Sequence, residues 1–233
     1  MRTVEQWASS QGHRYRRIDD AEFLGLVPRW YRDRSAHAIQ PVTDLARVEA
    51  ALRYLRTDAE CVVWIDADVL IFGHGLVIPE DCPIALAREV WLDVRRPAGS
   101  PHCVERVNNS VLVARDAEFL ARYRYACLRL AAEANAPLWK AMVGTEYLTD
   151  LHREHPLPLV RHVGNLSPHV LRAILGAERS VLDFYRTSVA EPLLAANLCA
   201  SFENKDYFGT LNTTAVYEQV VAQLLVTGSA LFA

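Results

Sequence analysis

The stretch Cys61-Val62-Val63-Trp64-Ile65-Asp66-Ala67-Asp68-Val69-Leu70-Ile71-Phe72 sets two carboxylates between two apolar runs. The first run, continuous and rich in β-branched side chains, reads as a strand buried on both faces, hence one in the middle of a sheet. Its charges then fall at the carboxyl end of the strand. Ligands of open α/β sheets gather at that end, and a carboxylate among apolar neighbours is costly unless solvated, paired or bound to a cation. D-x-D is short enough to recur by chance; its place after such a strand gives it weight. Two Asp separated by one residue present hard oxygens to Mg²⁺ or Mn²⁺ and leave coordination positions for phosphates. In purely structural terms the triplet is an acidic turn that caps a helix or faces water.

Upstream, Pro41 suits a first helical turn, and Leu45, Val48, Leu52 and Leu55 recur at three- and four-residue steps, so a helix packs one apolar stripe on the sheet. Asp44 and Arg47 stand three apart on its other side, where the plain reading is a surface ion pair worth a few tenths of a kcal/mol. Residues 3–11 read as a short helix stopped at Gly12, and His13-Arg14-Tyr15-Arg16-Arg17-Ile18 as a weakly alternating strand. Downstream, Pro83 to Ala87 and Val107 to Ala114 read as strands, and residues 116–134 and 137–153 as helices. Beyond about residue 155, Pro156, Pro158, Gly164, Pro168, Gly209 and Asn212 divide the chain into loops and short helices. The alternation predicts a single α/β domain over residues 1–233.

With 233 residues and 51% hydrophobic content, one core of ordinary size is expected. A net charge of -3 without a basic run argues against nucleic acid as a partner. The five cysteines are odd in number and never form C-x-x-C, which disfavours a disulfide framework or a zinc site and fits a reducing, cytoplasmic setting. No stretch is read as reaching the roughly 20 apolar residues of a membrane span. Val220 to Val226 is expected as a buried terminal helix, with peripheral contact at the inner face of a membrane as the alternative use of that end.

Asp44, Arg47 and the run Trp64-Ile65-Asp66-Ala67-Asp68-Val69 together resemble the core of GT-A-type nucleotide-sugar glycosyltransferases, in which a helix bearing Asp-x-x-Arg precedes an apolar strand ending in D-x-D. Bacterial and fungal galactosyl- and mannosyltransferases, glycogenin-like enzymes and glucosylating toxins share versions of it. The resemblance implies a Rossmann-like mixed sheet flanked by helices, and Mn²⁺ or Mg²⁺ as cofactor. It makes Asp44 and Arg47 donor-binding residues, Asp66 a donor and metal contact, and Asp68 the principal metal ligand. Arg106-Val107-Asn108-Asn109-Ser110 is similar to the strand beside the donor sugar, which makes Asn108 and Asn109 donor contacts; the plainer reading is a turn or a bulge. Gly144-Thr145-Glu146-Tyr147 occupies the place of an acceptor-side acidic pair, so Glu146 and Asp150 are the catalytic candidates, with Glu89 and Asp93 also eligible as a base. His162-Val163-Gly164-Asn165-Leu166-Ser167-Pro168-His169 resembles a diphosphate-closing loop and offers His162 as a metal ligand. It is one residue short of that pattern and carries Ser167 where the loop has Lys.

The implied partners are a UDP- or GDP-sugar donor and a glycan, lipid-linked or small-molecule acceptor. GT-A folds open on a strand that holds the base, whereas this sequence opens on the helix that follows. An open sheet edge is therefore expected, covered by a preceding segment or by a second copy in a homodimer. Two other readings compete: a metal-dependent nucleotidyltransferase, which lacks its usual Gly-rich phosphate loop here, and a GT-A-like scaffold without turnover.

Overall fold

The computed structural model describes residues 2–35, 37–94 and 100–232. Its elements are α1 (Arg2–Ser10), α2 (Asp20–Gly25), α3 (Arg29–Arg34), α4 (Gln40–Leu55), β1 (Val62–Ile65), β2 (Val69–Ile71), β3 (Ile84–Asp93), β4 (His102–Ala114), α5 (Ala117–Glu133), a π turn (Met142–Glu146) and α6 (Tyr147–Glu154). There follow β5 (Leu159–Val160), β6 (Val163–Asn165), α7 (Pro168–Ile174), α8 (Arg179–Val189), β7 (Ala195–Asn197), a 3₁₀ turn (Ala200–Phe202), β8 (Asp206–Tyr207), β9 (Thr210–Leu211), α9 (Thr214–Thr227) and a last 3₁₀ turn (Gly228–Phe232).

The architecture is mixed α/β. One sheet has the order β1-β4-β3-β5, antiparallel except for the β3–β5 pair, and a second has the order β2-β7-β6. Strand alternation divides the first sheet between two layers. Ile84, Leu86 and Leu112 join Leu45, Val48 and Leu52 of α4 and Leu120 of α5 in one core. Ala85, Ala87, Val111 and Val113 face the opposite side, against Val69, Ile71, Ala195 and Trp7. A third core gathers Leu70, Val90 and Leu92 under α7, α8 and α9. The predicted stripe of α4 is thus buried as expected, with Pro41 in its first turn.

Four expectations are corrected. β1 is an edge strand rather than a central one: among the described residues it pairs only with β4, and all four of its residues are half-buried. Its apolar run is continuous because its two faces meet different covers, Phe23 of α2 stacking on Trp64 at 4.8 Å and the Trp7 layer receiving Val63 and Ile65. His13–Ile18 forms no strand. Within 137–153 the α-helix begins only at Tyr147, after the π turn. There Gly144 leaves helical geometry (φ -95°, ψ -107°), and a Cβ at that position would overlap the Asp44 carboxylate. Finally, Thr214–Phe232 is a 19-residue helical run long and apolar enough, by length and composition, to cross a membrane. Val220, Leu224 and Phe232 are buried against the third core, while Leu225 and Val226 are exposed.

Candidate functional site

The Asp66-Ala67-Asp68 turn joins the two sheets. The Asp66 amide donates to the Ser110 carbonyl of β4 (2.8 Å), and the Asp68 carbonyl accepts from the Leu198 amide just beyond β7 (2.9 Å). Arg47, reaching across from α4, grips Asp66 with both arms: Nε donates to Oδ1 at 2.7 Å and Nη2 to Oδ2 at 2.6 Å. Its Nη1 donates to Asp44 Oδ1 (2.6 Å) and to Asn109 Oδ1 (3.2 Å), and Trp64 Nε1 also donates to Asp66 Oδ1 (2.7 Å). These side chains are 8–13% exposed for the three charges, so the plain reading of Asp44–Arg47 as a surface pair does not hold. One guanidinium serves two carboxylates. Burial therefore outweighs the pull of Arg47 on Asp44, whose carboxyl is pushed up to about 6, with the Asp66 charge adding to the rise. For Arg47 itself the carboxylates Asp66 and Asp44 outweigh desolvation and hold the guanidinium charged.

Asp66 has both oxygens engaged by Arg47. Asp68 is the more open acid of the pair: its Oδ2 accepts from the Ala200 amide (2.9 Å), and burial, then the Asp66 charge, raises its carboxyl above the usual range. Ala200 follows Cys199, which sits in the left-handed region (φ 53°) with its amide on Asn197 Oδ1 (2.7 Å). Burial raises the Cys199 thiol, and the charges of Asp68, Glu89 and Asp66 add to the rise.

The β4 strand carries an irregularity opposite Leu86 and Ala87, where pairing jumps from Leu112 to Asn108. Such bulges re-aim side chains. Asn109 turns toward the helices, donating to the Tyr123 hydroxyl (3.2 Å), while Asn108 turns to Glu89 of β3. Both amides are consumed within the protein, Asn108 Oδ1 also accepting from the Ser110 amide at 2.6 Å. Glu89 is buried and its carboxyl raised by desolvation, against the lowering effects of Asn108, Arg106 and Asn165.

Comparison with known protein families, curated proteins and solved structures finds no match to this chain.

The other sequence candidates lie apart from this network. Glu146 is exposed at the end of the π turn, and Asp150 is exposed and paired with Arg153 (2.7 Å). His162 precedes β6 and contacts the Pro192 carbonyl through Nδ1 (2.9 Å). It stands at the end of β6 opposite Asn165, the residue whose register partner Asn197 pairs with Val69 beside Asp68. Asp93 takes hydrogen bonds from Trp91 Nε1 (3.2 Å) and the Tyr207 hydroxyl. Among the described residues no group of three or more His, Cys, Asp or Glu is placed to hold a metal. Sequence reasoning overlooked Asn165 and Cys199, which carry no distinguishing pattern; Glu89 is among the eligible bases, and its further signal is the pair Arg88-Glu89 inside the otherwise apolar run Ile84–Leu92.

Beside the turn opens a groove of about 1010 Å³, bounded by β1 on one side and His13–Ile18 on the other, and ending at Asp66 and Ala67. Arg14, Arg16, Arg17 and Arg53 line it. Asp58 answers Arg14, and Glu22 is shared by Arg16 and Arg53, which leaves a surplus of positive charge.

Proposed function

We propose that the protein is a metal-dependent glycosyltransferase of the GT-A type, moving a sugar from a UDP- or GDP-sugar to a hydroxyl of a glycan, a lipid-linked sugar or a small molecule. The observation that carries this reading is the Asp66-Ala67-Asp68 turn at the carboxyl end of β1, with Asp66 locked by Arg47 and Asp68 left open beside it. Mg²⁺ and Mn²⁺ are commonly held by one or two carboxylates plus substrate phosphates, which suits a single open Asp. The charges agree: among the described residues Asp44 and Asp66 share the single cation Arg47, and Asp68 beside them has no ion pair of its own, a deficit that a divalent cation would fill. Bound by Asp68 and the donor diphosphate, the ion would offset the charge that builds on the departing β-phosphate.

The groove supplies room for the nucleoside, and its cationic rim favours an anionic ligand. Asp44, Arg47, Asn108 and Asn109 serve in this reading by fixing the turn and the β4 bulge, since Arg47 is spent on Asp44, Asp66 and Asn109, and Asn108 on Glu89 and the Ser110 amide. The test is calorimetry with Mn²⁺ and a panel of UDP- and GDP-sugars, on the wild type and on Asp68→Asn. Wild type should bind one donor class only with metal, and the variant should lose at least about tenfold of that affinity, roughly 1.4 kcal/mol, while keeping its melting temperature. Absence of metal-dependent binding in the wild type, or equal binding by the variant, would sink the reading.

A further inference from the structure

Two stretches of backbone face each other across the groove of about 1010 Å³, and neither has its hydrogen bonding satisfied. On one side β1 offers the amides and carbonyls of Val63 and Ile65, since those of Val62 and Trp64 are turned to β4. On the other, residues 13–19 run without helix, turn or bend, and among the described residues the backbone of 14–18 makes no hydrogen bond. Backbone groups in a concave place pair with water or with an incoming chain. The edge is also left unguarded: Val62–Ile65 carries no charge, no Pro and no bulge against β4, the devices that keep a strand edge from pairing further.

The space between the two stretches suits one more strand. From Cys61 to Ile65 the groove follows β1 for roughly 16 Å at the rise of a strand, away from the end at Asp66 and Ala67 that would receive the nucleoside. Ala8 of α1 and Ala50 and Ala51 of α4 line it with short side chains, which leaves room for those of another segment. Tyr54 lines it too, and its hydroxyl is buried without a partner.

The rim selects what that segment carries. Arg14 pairs with Asp58, and Arg16 and Arg53 share Glu22, in solvent-accessible contacts that an incoming acid can replace at little cost. Arg17 has no ion pair among the described residues. A second copy of this chain, docked edge to edge, would bring the same arginines against one another, and like charges oppose that pairing. A nucleic-acid strand would answer the charge but has no amides and carbonyls spaced to pair with β1.

We infer that this groove docks an extended acidic segment of a partner polypeptide, added as a strand beside β1 with its carboxylates on the arginine rim. Main-chain bonds to Val63 and Ile65 supply the affinity, and the arginines supply the selection. The interaction is independent of the transferase reading.

The probe is the peptide EVEVEV, blocked at its carboxyl end as the amide and labelled with fluorescein at its amino end. Binding is followed by anisotropy, and amide hydrogen exchange is measured on the same complex. Saturable binding is expected, weakened at least about tenfold by Arg14→Glu combined with Arg17→Glu, by Lys in place of Glu in the peptide, and by N-methylation of the peptide backbone. The peptide should slow exchange at Val63 and Ile65 at least about tenfold and leave Val62 and Trp64 as they are. The inference is overturned by absence of saturable binding, or by equal binding of the Lys peptide, of the N-methylated peptide or of a thymidylate hexanucleotide. Equal binding by the double variant, whose two substitutions are on exposed side chains, also overturns it. So does unchanged exchange at Val63 and Ile65, or protection of both in the free protein, where the edge would already be covered.

Discussion

At the scale of single residues, Arg47 decides how the turn is held. Its planar fork meets both oxygens of Asp66 and still reaches Asp44 and Asn109, a geometry Lys cannot reproduce. The sequence offered a surface pair or a donor contact for this residue; the spacing was legible, the burial was not, because burial comes from Asn109 and Tyr123, far away in the chain. Arg47→Ala should therefore cost about 3–5 kcal/mol, since two buried carboxylates lose their cation, where a surface pair would cost at most about 1 kcal/mol. Chemical denaturation distinguishes the two. Asp44 adds a pH signature. Burial pushes its folded carboxyl up to about 6 from the ordinary 3.8 of an Asp, so its favourable contribution is full below about pH 4 and is lost as pH rises through 6. Relative to wild type, Asp44→Asn should gain on the order of 2–3 kcal/mol between pH 4 and 7, and a ¹³C titration of the wild-type carboxyl should show the raised midpoint. A midpoint at or below 4 would contradict the picture of one guanidinium shared by two acids.

At the scale of elements, β1 shows what local pattern reports and what it omits. Five apolar residues followed by Asp-Ala-Asp were enough to place the strand and the turn, because both follow from side-chain chemistry within one window. Pairing is not local, and nothing in Val62–Ile65 tells whether one neighbour or two lie alongside. The Asn pair does suggest a bulge in β4, but not that Asn108 and Asn109 go to opposite sides, which depends on partners remote in the chain. The strand's edge position has a direct consequence. Antiparallel pairing alternates, and since the Asp66 amide points at Ser110, the amides of Trp64 and Val62 point at β4 as well. Those of Val63 and Ile65 point away, toward the groove. Amide hydrogen exchange on the free protein should protect Val62 and Trp64 far more than Val63 and Ile65. Equal protection across the four would mean that the edge is covered and the groove closed.

At the scale of the whole molecule, the site occupies the seam between two sheets. Asp66 is anchored to β4 and Asp68 to the end of β7, while Glu89 on β3 bridges to Asn165 on β6. A ligand bridging the seam makes contacts that the unfolded chain cannot make, and so stabilises the entire fold rather than one part. At 100 times its dissociation constant a donor would add about 2.7 kcal/mol. For a domain of this size each kcal/mol moves the melting temperature by roughly 2–4 °C, so a shift of about 5–10 °C is expected. The dependence on composition is the discriminating part. Nucleotide-sugar with Mn²⁺ should give the full shift in one cooperative transition; metal alone should give little, because Asp68 is a single open carboxylate; nucleotide-sugar with a chelator should give little, because the acids around the turn repel the diphosphate. Mutating Asp68 to Asn should erase the joint effect without lowering the melt of the free protein, since the change relieves repulsion with Asp66. A shift of the same size from nucleotide alone would place the ligand in the groove without the turn, and would separate groove binding from the metal-dependent chemistry proposed at Asp68.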